Sequence, residues 1–276
     1  MRNISQPIGW ILAVLALLAW GTGCIDQDDD DSTGDDDTGE DDATGDDDAT
    51  GDDDTVGDPC DGVGSTLAGD LILVNAADVT GFCAAGHAVV DGNVLATMSQ
   101  LADLDGLECL CGVTGDLLIS TNAILVDLDG LSGLHWVGGH LAIENDSGIT
   151  DVDGVVSLES VGGDLVIDTV SSVGANANGV VDAFPALEEV GDDFVISQTS
   201  SIVDIAGFGA LQTVGEDVQL TGNSGLTSIS GLGSLSWVGG NVVVAYNQSL
   251  PSADANTFAN GIAHVGGSVT AADNGP

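Results

Sequence analysis

A seven-residue phrase, V-x-G-x-L-x-I or a close variant, returns about every 24 residues along most of the chain. Its clear copies begin at Val113, Val137, Val161, Val190, Val214 and Val238, and fainter copies begin at Leu67, Val90 and Val265. A repeat of this period predicts a stacked solenoid in which each repeat forms one coil. Because stacked repeats create long regular surfaces, the pattern favours binding over catalysis in a pocket.

The apolar positions within a repeat indicate a strand followed by an arc. In the first clear copy, Val113, Leu117 and Ile119 have the same parity, which predicts that they share one face of a strand. The next apolar residues are spaced by three: Leu125, Leu128, Leu131 and Leu134. The arcs share a glycine, which predicts a positive φ or a close backbone approach there: Gly130, Gly154, Gly207 and Gly231. Another shared position predicts turn amides that bond local backbone: Asn122, Asn223 and Asn247.

These strands and arcs resemble the receptor L domain, a leucine-rich-repeat-like right-handed solenoid. The resemblance rests on the G-x-L-x-I strands, the L-x-x-L-x-G-L arcs, and a first coil in which Cys60 and Cys83 precede Val89-Val90-Asp91-Gly92-Asn93-Val94. It covers about Cys60 to Gly275 and implies a mostly β protein. We therefore expect a right-handed parallel β-solenoid of about nine coils over 60–276, with an N-terminal cysteine cap. The family's ligands do not carry over, since a fold does not imply a function.

Four cysteines lie within the repeat region, and four cysteines allow three pairings. Export, which residues 1–23 predict as described next, favours disulfides. The L-domain resemblance implies a disulfide between Cys60 and Cys83, which leaves Cys109 and Cys111 to bond each other or to remain thiols.

Residues 1–23 are typical of a lipoprotein signal peptide. Arg2 supplies a positive start, and the 13 apolar-rich residues Ile8 to Trp20 are too few to span a bilayer comfortably. The segment ends in Gly21-Thr22-Gly23-Cys24, which resembles a bacterial lipobox with Gly21 in place of a large aliphatic residue. This resemblance implies lipidation of Cys24. The residue after it is Ile25 and not Asp, which implies sorting to the outer membrane. Ordinary secretion with cleavage nearby is the alternative.

An acidic tether built on T-G-D-D-D units occupies residues 24–59. Its part from Ile25 to Asp58 holds 18 carboxylates and no Lys or Arg. Such a composition cannot bury enough apolar area to fold, so we expect a disordered spacer. Carboxylates are ligands for Ca²⁺, so we expect weak Ca²⁺ binding by the tether. The spacing of its acids indicates no specific metal site, and no other cofactor is expected.

The charge balance excludes several classes of partner. The chain has 45 acids, and its one Lys or Arg is Arg2. Subtracting the tether's 18 acids from the 45 leaves 27 on the repeat region. Nucleic acid is excluded as a partner because its binding depends on Lys and Arg. Docking on anionic lipid is disfavoured for the same reason, so we expect membrane contact only through the lipid anchor.

The repeats also place an apolar column on the outward side of the predicted strands. Its members are Ile72, Leu95, Leu118, Ala142, Val166, Val195, Gln219 and Val243. A contiguous apolar stripe of this kind usually marks an interface. Two other interpretations remain open: a loop or second sheet covers the column, or β-propensity alone selected its residues.

No G-x-S-x-G, H-E-x-x-H or phosphate-loop motif occurs, and most acids of the repeats stand at turns or beside glycines, so we expect no enzyme. We predict a surface-exposed lipoprotein of the cell envelope that recognises a protein or glycan through six residues of the outward column: Ile72, Leu95, Leu118, Val166, Val195 and Val243. The alternative is a structural or adhesion component of the envelope whose acidic residues bind divalent cations.

Overall fold

The computed structural model describes residues 59–149, 152–170, 181 and 183–276. These residues belong to the compact unit Asp54–Pro276. The predicted signal peptide, the lipidation of Cys24 and almost all of the predicted tether lie outside the described residues. Within the described ranges, no helix is both long and apolar enough to cross a bilayer.

Two parallel sheets of nine strands each form the body of the protein, as expected for a parallel β-solenoid of about nine coils. Sheet A consists of β1 (Ser65–Ala68), β3 (His87–Asp91), β5 (Gly112–Val113), β7 (Trp136–Val137), β9 (Ser160–Val161), β11 (Glu189–Val190), β13 (Thr213–Val214), β15 (Trp237–Val238) and β17 (His264–Val265). Sheet B consists of β2 (Leu71–Ile72), β4 (Val94–Thr97), β6 (Leu117–Ser120), β8 (Leu141–Glu144), β10 (Leu165–Asp168), β12 (Phe194–Ser197), β14 (Val218–Thr221), β16 (Val242–Ala245) and β18 (Val269–Ala272). In each sheet a strand pairs with the strands of the preceding and following coils.

The repeated phrase is divided between the two sheets, so the prediction of one strand per phrase was wrong. Val113 lies in β5 of sheet A, whereas Leu117 and Ile119 lie in β6 of sheet B. The chain turns a corner between them, and the three side chains are still buried on the same inner side. Parity is kept across this corner, which is why the sequence pattern resembles a single strand.

The arcs contain short 3₁₀ helices at Asp129–Leu131, Asp153–Val155, Ala206–Phe208 and Ser230–Leu232. The arc glycines sit in these helices because of close backbone approach: a Cβ on Gly154 would clash with the carbonyl oxygen of Leu128 in the preceding coil. Two α-helices were not predicted, α1 (Ala76–Ala84) and α2 (Ser252–Gly261). Asn75 and Asp78 begin α1 with a capping box.

The core is a continuous column between the sheets and the arcs. Each coil contributes inward residues of both sheets together with the residues of its arc, and most of them are fully buried. Phe184 stacks on Phe208 with ring centroids 4.8 Å apart, and Phe194 meets Phe208 edge-on at 5.0 Å. The described strands, the two disulfides and this core all lie within 59–276, so that segment contains both sheets and the core between them.

A buried polar ladder runs through the interior beside sheet B. We call it the inner ladder: Ser99, Asn122, Asp146, Thr199, Asn223, Asn247 and Asn274. Asn223 is typical, because its Oδ1 accepts the Thr199 N–H at 3.1 Å and its Nδ2 donates to the Ile196 carbonyl at 2.8 Å. The asparagines therefore bond backbone one coil away, which corrects the prediction that they bond local backbone.

The disulfides also differ from the pairing that the family resemblance implied. Cys60 bonds Cys111, with their Cα atoms 5.5 Å apart, and Cys83 bonds Cys109, at 5.8 Å. The predicted Cys60–Cys83 bond and a Cys109–Cys111 bond are both wrong. Cys83 lies on α1 and packs with Cys109 against the main core, while Cys60 and Cys111 form a separate small cluster with Ala88. Cys60 and Cys83 therefore belong to different clusters.

Candidate recognition face

The predicted outward column forms one continuous ladder on the outer side of sheet B. Strand register aligns nine residues, which we call the stripe: Ile72, Leu95, Leu118, Ala142, Val166, Val195, Gln219, Val243 and Thr270. Ile72 is 52% exposed, most of the others are half-buried, and only Ala142 is buried. The six predicted residues therefore lie together on one surface, and each remains in part accessible to solvent.

A second ladder precedes the stripe by two residues in every coil. We call it the outer ladder: Asp70, Asn93, Asp116, His140, Asp164, Asp193, Asp217, Asn241 and Ser268. In each of these residues but the last, a side-chain acceptor receives the backbone N–H of the next member; for example, Asp193 Oδ1 accepts from Asp217 N at 2.8 Å. Strand alternation places these side chains on the same side of sheet B as the stripe. The ladder brings carboxylates to one long margin of the stripe.

The opposite margin of the stripe carries hydroxyl groups and two carboxylates. The residues two positions after the stripe are Thr97, Ser120, Glu144, Asp168, Ser197, Thr221, Ala245 and Ala272, which are also in register. Glu144 and Asp168 are adjacent in this column, and the Ser197 hydroxyl donates to the Asp168 carboxylate. The stripe therefore has acidic groups on both sides in the middle of the solenoid and neutral groups toward its C-terminal coils.

Burial and, after it, repulsion raise the pKa of two carboxylates of these margins, Asp193 and Glu144. The pKa of Asp193 is raised to about 6, first by burial and then by Asp164, Asp217 and Glu216, although the Asp217 N–H opposes the rise. Burial and the neighbouring Asp168 also raise the pKa of Glu144. Because the face carries no Lys or Arg, its carboxylates face one another without a fixed positive charge.

Two residues of the outer ladder and the neighbouring Asp192 are close enough to share a metal ion. His140, Asp164 and Asp192 each offer one ligand atom, and these atoms lie within 4.8 Å of one another. The His140 Nδ1 lies 3.2 Å from Asp164 Oδ2 and accepts the Asp164 N–H at 2.8 Å. Because the Nδ1 lone pair of His140 already accepts a hydrogen bond in the outer ladder, a cation bound there would have to replace that hydrogen bond.

The outer ladder was not predicted, although the sequence contains a signal for it. A polar residue directly precedes nearly every inward L or V of sheet B, as Asp116 precedes Leu117 and His140 precedes Leu141. Its members follow glycines in most coils, a context typical of turns, which hides their alignment. Neither Glu144 nor Asp192 had a recognisable sequence signal.

The predicted signal peptide and Cys24 lie outside the described residues, whereas the predicted stripe residues lie together on one surface. Comparisons of the chain with protein-family models, with curated proteins and with solved structures found no match.

Proposed function

We propose that this protein is a surface lipoprotein whose solenoid is a non-catalytic recognition domain of the receptor L-domain or leucine-rich-repeat-like type. A lipid on Cys24 holds it to the outer membrane, and the acidic tether displays the solenoid at the cell surface. The stripe binds a protein or glycan partner. Membrane contact is limited to the lipid anchor, because the 45 acids repel anionic headgroups.

One observation carries the recognition role: the stripe is apolar at seven of its nine rungs, and every rung except Ala142 is at least partly accessible to solvent. An outward apolar column on a solenoid exposes area to water without contributing to the core. Such continuous patches are typical of interaction surfaces. The parallel stacking also makes the surface long and regular, which suits an extended partner.

The test compares the segment 59–276 with two variants for saturable binding to intact cells of the source organism. In the stripe variant, Leu118→Ser, Val166→Thr and Val195→Thr keep small or β-branched side chains at a column that already contains Gln219 and Thr270. The control variant changes three exposed apolar residues outside sheet B: Val63→Thr, Ile124→Ser and Val156→Thr. We expect at least a tenfold loss of affinity for the stripe variant alone. Equal binding by all three proteins would contradict the proposal.

The anchor has a separate test in the full chain. Replacing Cys24 by Ser removes the only thiol that the lipobox-like segment offers, so we expect the protein to leave the membrane fraction. Mass spectrometry of the wild-type N-terminus should find a diacylated or triacylated cysteine. An unmodified Cys24 in mature protein, or unchanged membrane association of the variant, would contradict lipidation.

A second candidate function is divalent-cation binding in a structural or adhesion role, and the His140–Asp164–Asp192 group favours it. Imidazole and carboxylate ligands suit Zn²⁺ and Mn²⁺, whereas an all-oxygen set would suit Ca²⁺. In this role, millimolar cation should raise the melting temperature of 59–276, and Asp192→Asn should remove the rise. A melting temperature that no cation changes would exclude this candidate.

A further inference from the structure

The acids beside the stripe are concentrated on its central coils. From Leu118 to Gln219 the stripe covers five rungs, which is about 19 Å of solenoid at about 4.8 Å per coil. Six carboxylates lie along these five rungs: Asp116, Asp164, Asp193 and Asp217 in the outer ladder, and Glu144 and Asp168 on the opposite margin. The central stripe is therefore an apolar track between two acidic margins.

The described part of the chain has no Lys or Arg that could neutralise these margins. The chain has one Lys or Arg, Arg2, and the only residue of the outer ladder able to carry a positive charge is His140. A second copy of the chain would bring the same acidic margins and be repelled. Anionic lipid and acidic glycans are repelled for the same reason, because complementary potentials are what select a partner. A neutral glycan has no charge to match six carboxylates.

We infer that the partner of this face is a cationic amphipathic segment of another protein. Its apolar side chains lie on the stripe, and its Lys or Arg side chains pair with carboxylates of the two margins. This inference rests on the proposed recognition function and names the chemistry of its partner.

The distribution of acids along the face also determines where the basic and neutral parts of the bound segment lie. After Asp217 the chain has only two acids, Asp254 and Asp273, and neither belongs to the margins of the stripe. The rungs at Val243 and Thr270 are flanked by Asn241, Ser268 and alanines instead. The basic residues of the partner should therefore lie over the central coils, and a neutral, apolar part of it should extend over Val243.

The outer ladder offers a way to remove charge without changing shape. Asn93 and Asn241 already occupy ladder positions, where each keeps the Oδ1 acceptor and also donates from Nδ2 to the preceding Asp at 3.0–3.1 Å. A margin variant with Asp116→Asn, Asp164→Asn, Asp193→Asn and Asp217→Asn should therefore fold normally. A matched control removes four charges elsewhere: Asp105→Asn, Asp129→Asn, Glu188→Gln and Glu189→Gln, none of which lies in sheet B.

The probe is a 14-residue amphipathic Leu/Lys peptide, about 21 Å long as a helix, with a Leu/Glu peptide of the same pattern for comparison. Binding is measured by fluorescence anisotropy with 59–276, which lacks nearly all of the acidic tether, at low and high salt. We expect the Leu/Lys peptide alone to bind. The margin variant should bind it about tenfold more weakly, as four modest ion pairs would give, and the control variant less than twofold more weakly. The same peptide should compete with cells for 59–276.

The outcomes separate this inference from the function on which it rests. If the stripe variant loses cell binding while the margin variant keeps it and the Leu/Lys peptide does not compete, the recognition function stands and the cationic partner is wrong. If the margin and control variants lose peptide binding equally, the attraction is general charge, and the inference is again wrong. If a neutral glycan displaces 59–276 from the cells and the Leu/Lys peptide does not, the partner is a glycan and the cationic partner is wrong. If the stripe variant binds cells like wild type, the recognition function itself fails.

Discussion

The inner ladder and the outer ladder make the same hydrogen bond in two environments. In both, a side-chain acceptor, an oxygen everywhere except at His140, takes a backbone N–H from the neighbouring coil, as Asn223 does for Thr199 inside and Asp193 does for Asp217 outside. The inner positions are mostly amides and the outer ones mostly carboxylates. An amide satisfies a buried backbone donor without carrying charge, whereas an outer carboxylate keeps part of its hydration. Burial therefore restricts the inner ladder to uncharged side chains, with Asp146 as the exception, whereas the outer ladder admits carboxylates as well as amides.

The largest expected effect comes from truncating one member of each ladder. Asn223→Ala leaves the Thr199 N–H, the Thr199 hydroxyl and the Ile196 carbonyl without their partner in the interior. We expect the free energy of unfolding to fall by about 3–4 kcal/mol, since buried unsatisfied groups are costly. Asp193→Ala removes the acceptor of the Asp217 N–H, which water can reach, so we expect the free energy of unfolding to fall by only about 1 kcal/mol. Urea unfolding of both variants measures the difference, and equal losses would show that burial does not distinguish the ladders.

The next effect concerns Asp146, the one carboxylate of the inner ladder. Its Oδ1 accepts the Asn122 N–H, and its Oδ2 is buried with no hydrogen-bond partner among the described residues. Burial raises its pKa from 3.8 to about 6, with a further contribution from Glu144, while the hydrogen bonds from Asn122 oppose the rise. Between these two pH values the folded protein holds a proton that the unfolded chain has lost. Stability should therefore fall as the pH rises from about 4 to about 6, by up to about 3 kcal/mol, and then level off.

Replacing Asp146 by Asn should remove that dependence. An amide at this position keeps the Oδ1 acceptor and adds a donor, as Asn122 does toward the Ala96 carbonyl, whose equivalent one coil later is Ile119. We expect Asp146→Asn to stabilise the protein by about 2–3 kcal/mol at pH 7.5 and to change little at pH 4. Asn122→Asp serves as the reverse control and should introduce a new loss of stability at pH 7.5. Parallel stability–pH curves for wild type and Asp146→Asn would contradict the assignment.

Features that recur in every coil were predicted from the sequence, whereas features that interrupt the repeat were not. The solenoid, its coil number and the outward column follow from apolar positions that recur in every coil, such as Leu118 and Val166, because stacking makes a sequence period into a spatial one. The corner between Val113 and Leu117 could not be recognised, since a turn that preserves parity leaves the same pattern as a straight strand. The disulfides depend on α1, which occurs in one coil and gives no periodic signal.

The smallest effect sharpens the comparison from the outer side. Asp193 is only half-buried, and its pKa is raised to about 6 by burial and by repulsion from Asp164, Asp217 and Glu216. Asp193→Asn keeps the bond to the Asp217 N–H and removes that repulsion, so it should stabilise the protein at pH 7.5 by less than about 1 kcal/mol after solvent screening. As for Asp146, the folded state holds the extra proton between pH 4 and 6, so the gain should vanish toward pH 4. Unlike the gain from Asp146→Asn, it should also shrink in about 1 M salt, where the Debye length is about 3 Å. Urea unfolding at both salt concentrations measures this, and a gain for Asp193→Asn that salt leaves unchanged would mean that burial alone, and not repulsion within the margin, raises the pKa of Asp193.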